Sequence, residues 1–263
     1  PNHVVLDGQL HRFDGKKKGK KSGWYVAFSD GVPAGRFGDW AQDLEATFLA
    51  DIGREITAVE MMANTKRLAE AKKKRDEEKA KKYEAASITV EAIWSNCAAA
   101  DDAHPYLQRK GISSNGARVT GDGRLAIPLY GADGEISSLQ YINHEGGKQY
   151  HAGGAVGGKF WQIGHTDEAG ALFIAEGFAT AATIHQATNR PCVVAYSASN
   201  LVPVTEAMRA HHGIGQEIII VADNYESGVG QKYADQASAK FGAKVVIPPV
   251  LGDANDYAQA TNH

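Results

Sequence analysis

Cysteine is nearly absent. Cys97 and Cys192 are the only two in 263 residues, too few for a zinc ribbon and suited to reduced thiols in a cytoplasmic protein. No apolar run approaches the roughly 20 residues that span a bilayer, and Pro1-Asn-His-Val-Val5 lacks a basic-then-apolar secretion pattern. A soluble, cytoplasmic chain with no membrane partner is therefore expected. Gly153-Gly-Ala-Val-Gly-Gly158 is glycine-rich but lacks the G-x-x-x-x-G-K-[ST] pattern of a nucleotide P-loop, and it reads as a mobile loop. The ten histidines have no spacing that demands zinc, and no nucleophile elbow is present. Excess charge is lacking too: the formal net charge is −3, so any nucleic-acid reading must rest on local patches.

The charge that is present is unevenly placed. Of 28 Lys and Arg, 19 lie in residues 1–110 beside 17 acids, whereas residues 111–263 hold 9 beside 14 acids. The basic surface is N-terminal and the acidic one C-terminal. Residues 1–57 carry Lys16, Lys17, Lys18, Lys20 and Lys21 just before the strand-like Gly23-Trp-Tyr-Val-Ala-Phe28, with Gly31, Pro33, Gly35 and Gly38 marking turns. Lysines beside Trp24 and Tyr25 are what a single-strand binding surface needs, phosphate neutralisation and stacking faces; a lysine-rich hairpin tip beside ordinary core aromatics is the other reading. Residues 58–86 contain no Gly or Pro, and Asn64 to Ala86 is dominated by Lys, Glu, Ala and Arg, which predicts a long solvated helix. A second helix is expected near Val90 to Ala100.

In the C-terminal half, Ala171-Leu-Phe-Ile-Ala175 ends at Glu176-Gly177, and Glu217-Ile-Ile-Ile-Val-Ala222 ends at Asp223. Both read as buried parallel strands. A helical pattern at Ala179–Thr188, the run Cys192–Tyr196, a helix from about Gly230 to Lys240 and the run Ala243–Ile247 complete an α/β pattern with crossover helices. Ligands of such sheets bind beyond the carboxyl ends of the strands. Glu176 and Asp223 should therefore face one another, with Asp253 and Asp256 of Gly252-Asp-Ala-Asn-Asp256 brought to the same edge. Converging carboxylates repel unless a proton or cation intervenes, and oxygen-only donors suit Mg²⁺. The plainer alternative is that strand-end acids cap helices.

These residues carry a family resemblance. Glu176-Gly-Phe-Ala-Thr-Ala181 closely resembles the E-G-Y-A-T-A motif of plasmid- and satellite-phage-encoded DNA primases. Asp223-Asn-Tyr-Glu-Ser-Gly228 resembles the D-x-D-x-x-G motif of Toprim domains, and Gly252-Asp-Ala-Asn-Asp256 looks like their third acidic element. His104-Pro-Tyr-Leu-Gln-Arg-Lys-Gly111, Gly123-Arg-Leu-Ala-Ile-Pro128, Gly134–Tyr141, Gly147-Lys148-Gln-Tyr150 and Gly158-Lys159-Phe160 are similar to the core that precedes the Toprim domain in bacterial primases. The similarity covers about residues 104–257. One position departs: Tyr225 stands where the second aspartate of D-x-D is expected.

The resemblance implies an α/β fold: a Toprim parallel sheet flanked by helices, preceded by a mixed α+β primase subdomain and a small β-rich N-terminal module on a long helix. The expected boundaries are 1–57, 58–103, 104–168 and 169–263. It implies metal-dependent synthesis of short primers on single-stranded DNA from nucleoside triphosphates. Glu176 and Asp223 would be catalytic, and Glu176, Asp223, Asp253 and Asp256 would hold Mg²⁺ or Mn²⁺, with no zinc. Arg124, Lys148 and Lys159 would bind nucleotide phosphates, and a replicative helicase is a candidate partner. A phenol at 225 is neutral and a poor Mg²⁺ ligand, so impaired activity is expected. The alternatives are a non-catalytic single-stranded DNA-binding protein with a degenerate Toprim domain, or a Toprim nuclease.

Overall fold

Four short strands, β1 (His11–Phe13), β2 (Gly23–Phe28), β3 (Ala34–Asp39) and β4 (Leu44–Leu49), pair in chain order as an antiparallel meander. The computed structural model in which they are seen describes residues 3–16, 18–42, 44–165 and 170–261. It divides into two units, Pro1–Lys81 and Lys82–His263. Glycines on β3 let aromatic rings lie across it: a Cβ at Gly38 would come 2.8 Å from Trp24 Nε1, and one at Gly35 would strike the Phe48 ring. Successive β2 side chains point to opposite faces, so Trp24 and Tyr25 do not share a surface. Tyr25 is buried, stacked on His11, and its hydroxyl accepts from the Val5 N–H at 3.0 Å. It offers no stacking face to a base, which corrects the expectation that paired it with Trp24. Lys16, Lys18, Lys20 and Lys21 are exposed on the β1–β2 loop; Lys17 lies outside the described residues.

Helix α1 (Ala58–Asn96) is a single run of 39 residues, where the sequence reading expected two helices. It opens on a capping box: Glu60 Oε2 accepts from the Thr57 N–H at 3.0 Å while Thr57 Oγ1 accepts from the Glu60 N–H at 3.3 Å. Nothing in the sequence between Ala86 and Val90 breaks a helix, and the second unit uses the last turns as core. There Val90 is fully buried among Ala126, Leu139 and Tyr141, and Ser87 Oγ donates to the Ile136 carbonyl at 2.6 Å.

In the second unit, β5 (Ala98–Ala99), β6 (Arg118–Val119), β7 (Leu125–Tyr130), β8 (Ile136–Ile142) and β9 (Lys148–Tyr150) form an antiparallel sheet in that order, with the short helix α2 (Pro105–Lys110) before β6. The second sheet contains β10 (Trp161–Ile163), β11 (Leu172–Ala175), β12 (Cys192–Val194), β13 (Ile218–Val221) and β14 (Lys244–Val246), in the spatial order β10-β12-β11-β13-β14. All its pairs are parallel except β10 with β12. Helices α3 (Phe178–Thr188), α4 (Leu201–His212) and α5 (Val229–Phe241) make the crossovers, and α6 (Ala254–Thr261) follows β14. This is the α/β fold expected, a parallel sheet flanked by helices.

Because both faces of this sheet are covered, its strands are continuous apolar runs whose alternate residues feed two cores. Ala175, Cys192, Val194 and Val221 pack with Phe178 of α3 and with Leu125, Ile127 and Leu129 of the antiparallel sheet. Leu172, Ile174, Val193, Ile218 and Ile220 pack against α4 and α5 through Val204, Met208, Ala234 and Ala237. The stretch Gly153–Gly158 is not a free loop. Asn200, 4 % exposed, accepts from the Gly158 N–H at 2.7 Å and donates to the Val156, Lys159 and Ala195 carbonyls. Among the described residues, no helix is long and apolar enough to cross a membrane.

Candidate active site

Strand β11 connects to β12 on one side and, after α4, the chain crosses β11 to reach β13 on the other. Strand order therefore reverses at β11, and a crevice opens beyond the carboxyl ends of β11 and β13. Ala175 is in register with Val221, so Glu176 and Asp223, just past those strand ends, are neighbours at this edge. Glu176 Oε1 and Asp223 Oδ1 are shielded from solvent and have no hydrogen-bond partner among the described residues. Helix α5 packs onto both: a Cβ at Gly230 would come 2.5 Å from Glu176 Oε1 and 2.9 Å from the Asp223 carbonyl oxygen. Sequence reasoning gave no role to Gly230, whose missing side chain makes this approach possible.

Two carboxylates in such a place titrate abnormally. Burial, then repulsion by Glu176 and Asp253, raises the Asp223 pKa to about 7. Burial also raises Glu176, with Asp253 adding to the rise and a bond from the Asp223 backbone N–H and the charge of Lys148 opposing it. Lys148, at the start of β9, is exposed as a residue, but its ammonium turns toward the acids and lies 3.6 Å from where a Gly177 Cβ would be. Desolvation there lowers its pKa, although Asp253, Asp223 and Glu176 pull it upward.

Asp253 and Asp256 show the helix-capping alternative that was open for these acids. Asp253 Oδ1 accepts from the Asn255 and Asp256 N–H groups at 2.8 and 2.9 Å, and Asp256 Oδ2 accepts from the Asp253 N–H at 3.1 Å. This is a capping box at the start of α6. Asp256 Oδ1 also meets Lys110 Nζ at 3.4 Å. Among the described residues, no three His, Cys, Asp or Glu side chains stand together so as to hold a metal ion. Their charges still act on Asp223, because the Asn224–Gly252 backbone bridge, at 2.8 and 2.9 Å, ties the loop after β13 to the segment before α6. Asp253→Ala should remove the cap and cost about 1 kcal/mol of stability, measured by urea denaturation.

Tyr225 is 53 % exposed. Desolvation and the charges of Asp253, Asp223, Asp256 and Glu176 raise its pKa to about 12, so the phenol stays protonated beside the acids. Arg124 is engaged away from them: Nε donates to Asp122 Oδ2 at 2.8 Å, and the guanidinium lies 4.5 Å above the Tyr141 ring. The Lys159 ammonium shares the space beside Gly131 with the Asp133 carboxylate. Of the three proposed phosphate cations, only Lys148 is brought to the acids. Lys110 joins them unforeseen; the basic end of Arg109-Lys-Gly111 was its one signal, since its partner lies 146 residues away.

The orphaned pair Glu176 and Asp223 fits a hard divalent cation, because Mg²⁺ is commonly bound through one or two carboxylates with water and substrate phosphates completing its shell. Residues 171–263 match the Toprim domain family. That match takes in Glu176, Asp223, Asp253 and Asp256. Two curated relatives, both named DNA primase TraC of Escherichia coli, are similar along 97 % of the chain at 31 % and 30 % identity. The chain spans 25 % of the length of the first and 18 % of the second. The primase fragment of the bacteriophage T7 primase-helicase protein is similar in structure at a TM-score of 0.46 and 20 % identity, over 60 % of this chain and 70 % of that one. The two curated relatives match the resemblance to DNA primases read from the motifs, and their similarity also takes in residues before 171.

Proposed function

We propose that this chain is the catalytic region of a DNA primase, joining nucleoside triphosphates into short primers on single-stranded DNA in the cytoplasm. The observation that carries this reading is the pair of enclosed, unpartnered oxygens, Glu176 Oε1 and Asp223 Oδ1, at the strand-order reversal of a Toprim sheet. Primer growth is attack of a 3′-hydroxyl on the α-phosphorus of an incoming nucleotide, with the bond to the α,β-bridging oxygen broken, pyrophosphate leaving and the hydroxyl proton passing to a base. Glu176 and Asp223 would hold Mg²⁺ or Mn²⁺, which when bound neutralises triphosphate charge and lowers the hydroxyl pKa. Lys148 supplies a fixed positive charge to the phosphate tail from its place beside both acids. Glu176 has a second role open to it, since a carboxylate with a raised pKa is a better acceptor for the hydroxyl proton. Tyr225 limits the site by withholding a carboxylate. A replicative helicase is the partner this activity calls for.

The exposed Lys16, Lys18, Lys20 and Lys21 would contact template phosphates. Changing all four to Gln should weaken binding and lower the slope of log affinity against log salt by about 3, since each single-strand phosphate contact contributes about 0.7. Fluorescence anisotropy across a salt series measures it. The activity itself is tested by incubating the purified chain with single-stranded template and labelled ribonucleotides in Mg²⁺ and in Mn²⁺. Template-dependent short products are the expected result. Tight binding without products would favour the non-catalytic alternative, and cleaved template the nuclease.

A further inference from the structure

The N-terminal unit holds an open groove of about 720 Å³ between the sheet face bearing Trp24, Val26 and Thr47 and the turns of α1 bearing Met61, Asn64 and Leu68. Its walls are largely apolar and aromatic, yet two donors in it have no partner among the described residues. Asn64 is 6 % exposed; its Oδ1 accepts from Arg67 Nη2, which fixes the amide and leaves Nδ2 enclosed without a partner. Arg75 Nη1 is enclosed and unpartnered in the same groove. A donor so placed is costly until an acceptor arrives. At the mouth, Trp24 and Trp40 stack with centroids 5.8 Å apart, and Trp40 is 53 % exposed. Among the described residues, the charged ones lining the groove are Arg36, Lys72 and Arg75 against Asp76, and Arg36 is paired with Glu45.

We propose that this groove receives an unstacked base of single-stranded DNA. The inference rests on the reading that the chain works on such a strand and gives it a specific seat. An aromatic-walled slot suits the faces of a base, and the in-plane oxygens and ring nitrogens of a base are the acceptors that Asn64 Nδ2 and Arg75 Nη1 lack. Lys72, exposed on the groove's lining, meets the neighbouring phosphate. A purely aliphatic occupant would leave both donors unpaired and the cations unused.

The test titrates a short oligothymidylate into the full chain, read by tryptophan fluorescence and by anisotropy. Quenching is expected on binding. Trp40→Ala and Arg75→Met should each weaken affinity roughly tenfold, the loss of one base–aromatic or base-edge contact. Asn64→Leu, which fills the same space, should weaken it less and leave an intact fold by circular dichroism. Lys74→Met removes the same charge from an exposed position outside the groove and should have a small effect. Equal losses from Arg75→Met and Lys74→Met, or an apolar dye held in the groove that oligothymidylate fails to displace, would overturn the proposal. Primer synthesis by the unaltered chain is scored separately. Groove-dependent binding without synthesis defeats only the primase reading, and synthesis with unchanged binding in Trp40→Ala and Arg75→Met defeats only the groove.

Discussion

Asp223→Ala is expected to abolish primer synthesis, lowering its rate by roughly a thousandfold or more, while making the cation-free chain more stable. Asp223 and Glu176 have no hydrogen-bond partner among the described residues for one enclosed oxygen each, and the negative charges nearby make each less tolerable to the other. A carboxyl whose pKa is higher in the folded chain, here about 7 against an ordinary 3.8, binds an extra proton between those values. Its contribution to stability is therefore present at low pH and lost as pH rises from about 4 to about 7. Asp223→Ala should flatten that decline and gain about 1 kcal/mol at pH 8, the scale of an unsatisfied buried polar group. Urea denaturation across pH reads the stability and ribonucleotide incorporation reads the rate. Full activity in the variant, or an unchanged pH profile of stability, would remove Asp223 from the site.

Tyr225→Asp should produce the opposite sign, a large gain in rate with apparent Mg²⁺ affinity tighter on the order of tenfold, ~1.4 kcal/mol. The phenol sits in the field of Asp253, Asp223, Asp256 and Glu176, which with desolvation holds its pKa near 12, so it stays neutral at any working pH. An aspartate there adds a charge and two hard oxygens where Asp253 and Asp256 have turned theirs to the α6 backbone. The added charge also increases repulsion, so Tyr225→Asp should be less stable without a cation and regain stability as Mg²⁺ is added. Equal rates in both proteins across a Mg²⁺ titration would make Tyr225 an ordinary surface side chain.

Glu176 and Asp223 were legible because buried parallel strands read as unbroken apolar runs, and each run stops at an acid. The strand positions then follow from the crossover rule, with no knowledge of side-chain contacts. Asp253 and Asp256 were read either as cation ligands or as helix caps, and their carboxylates bond to the start of α6. Their three-residue spacing is also that of a capping box, and the choice between cap and cation depends on where α6 begins. Tyr25 shows another limit: adjacent to Trp24 in sequence, it faces the other way, as alternation in a strand requires. Asn224 and Gly230 were invisible, and Lys110 nearly so, for a different reason. Their roles come from contacts that exist only after the loop beyond β13, α5 and α6 have packed together.

Direct titration of Mn²⁺ into the unaltered chain, with calorimetry in buffers of different ionisation enthalpy, tests the acid pair most directly. Binding that requires both Glu176 and Asp223, with proton release at pH 6 that fades above pH 8, is the predicted result, because the Asp223 carboxyl with its pKa of about 7 must give up its proton to accept the ion. Binding of the same strength and the same proton count in Glu176→Ala and Asp223→Ala would contradict it.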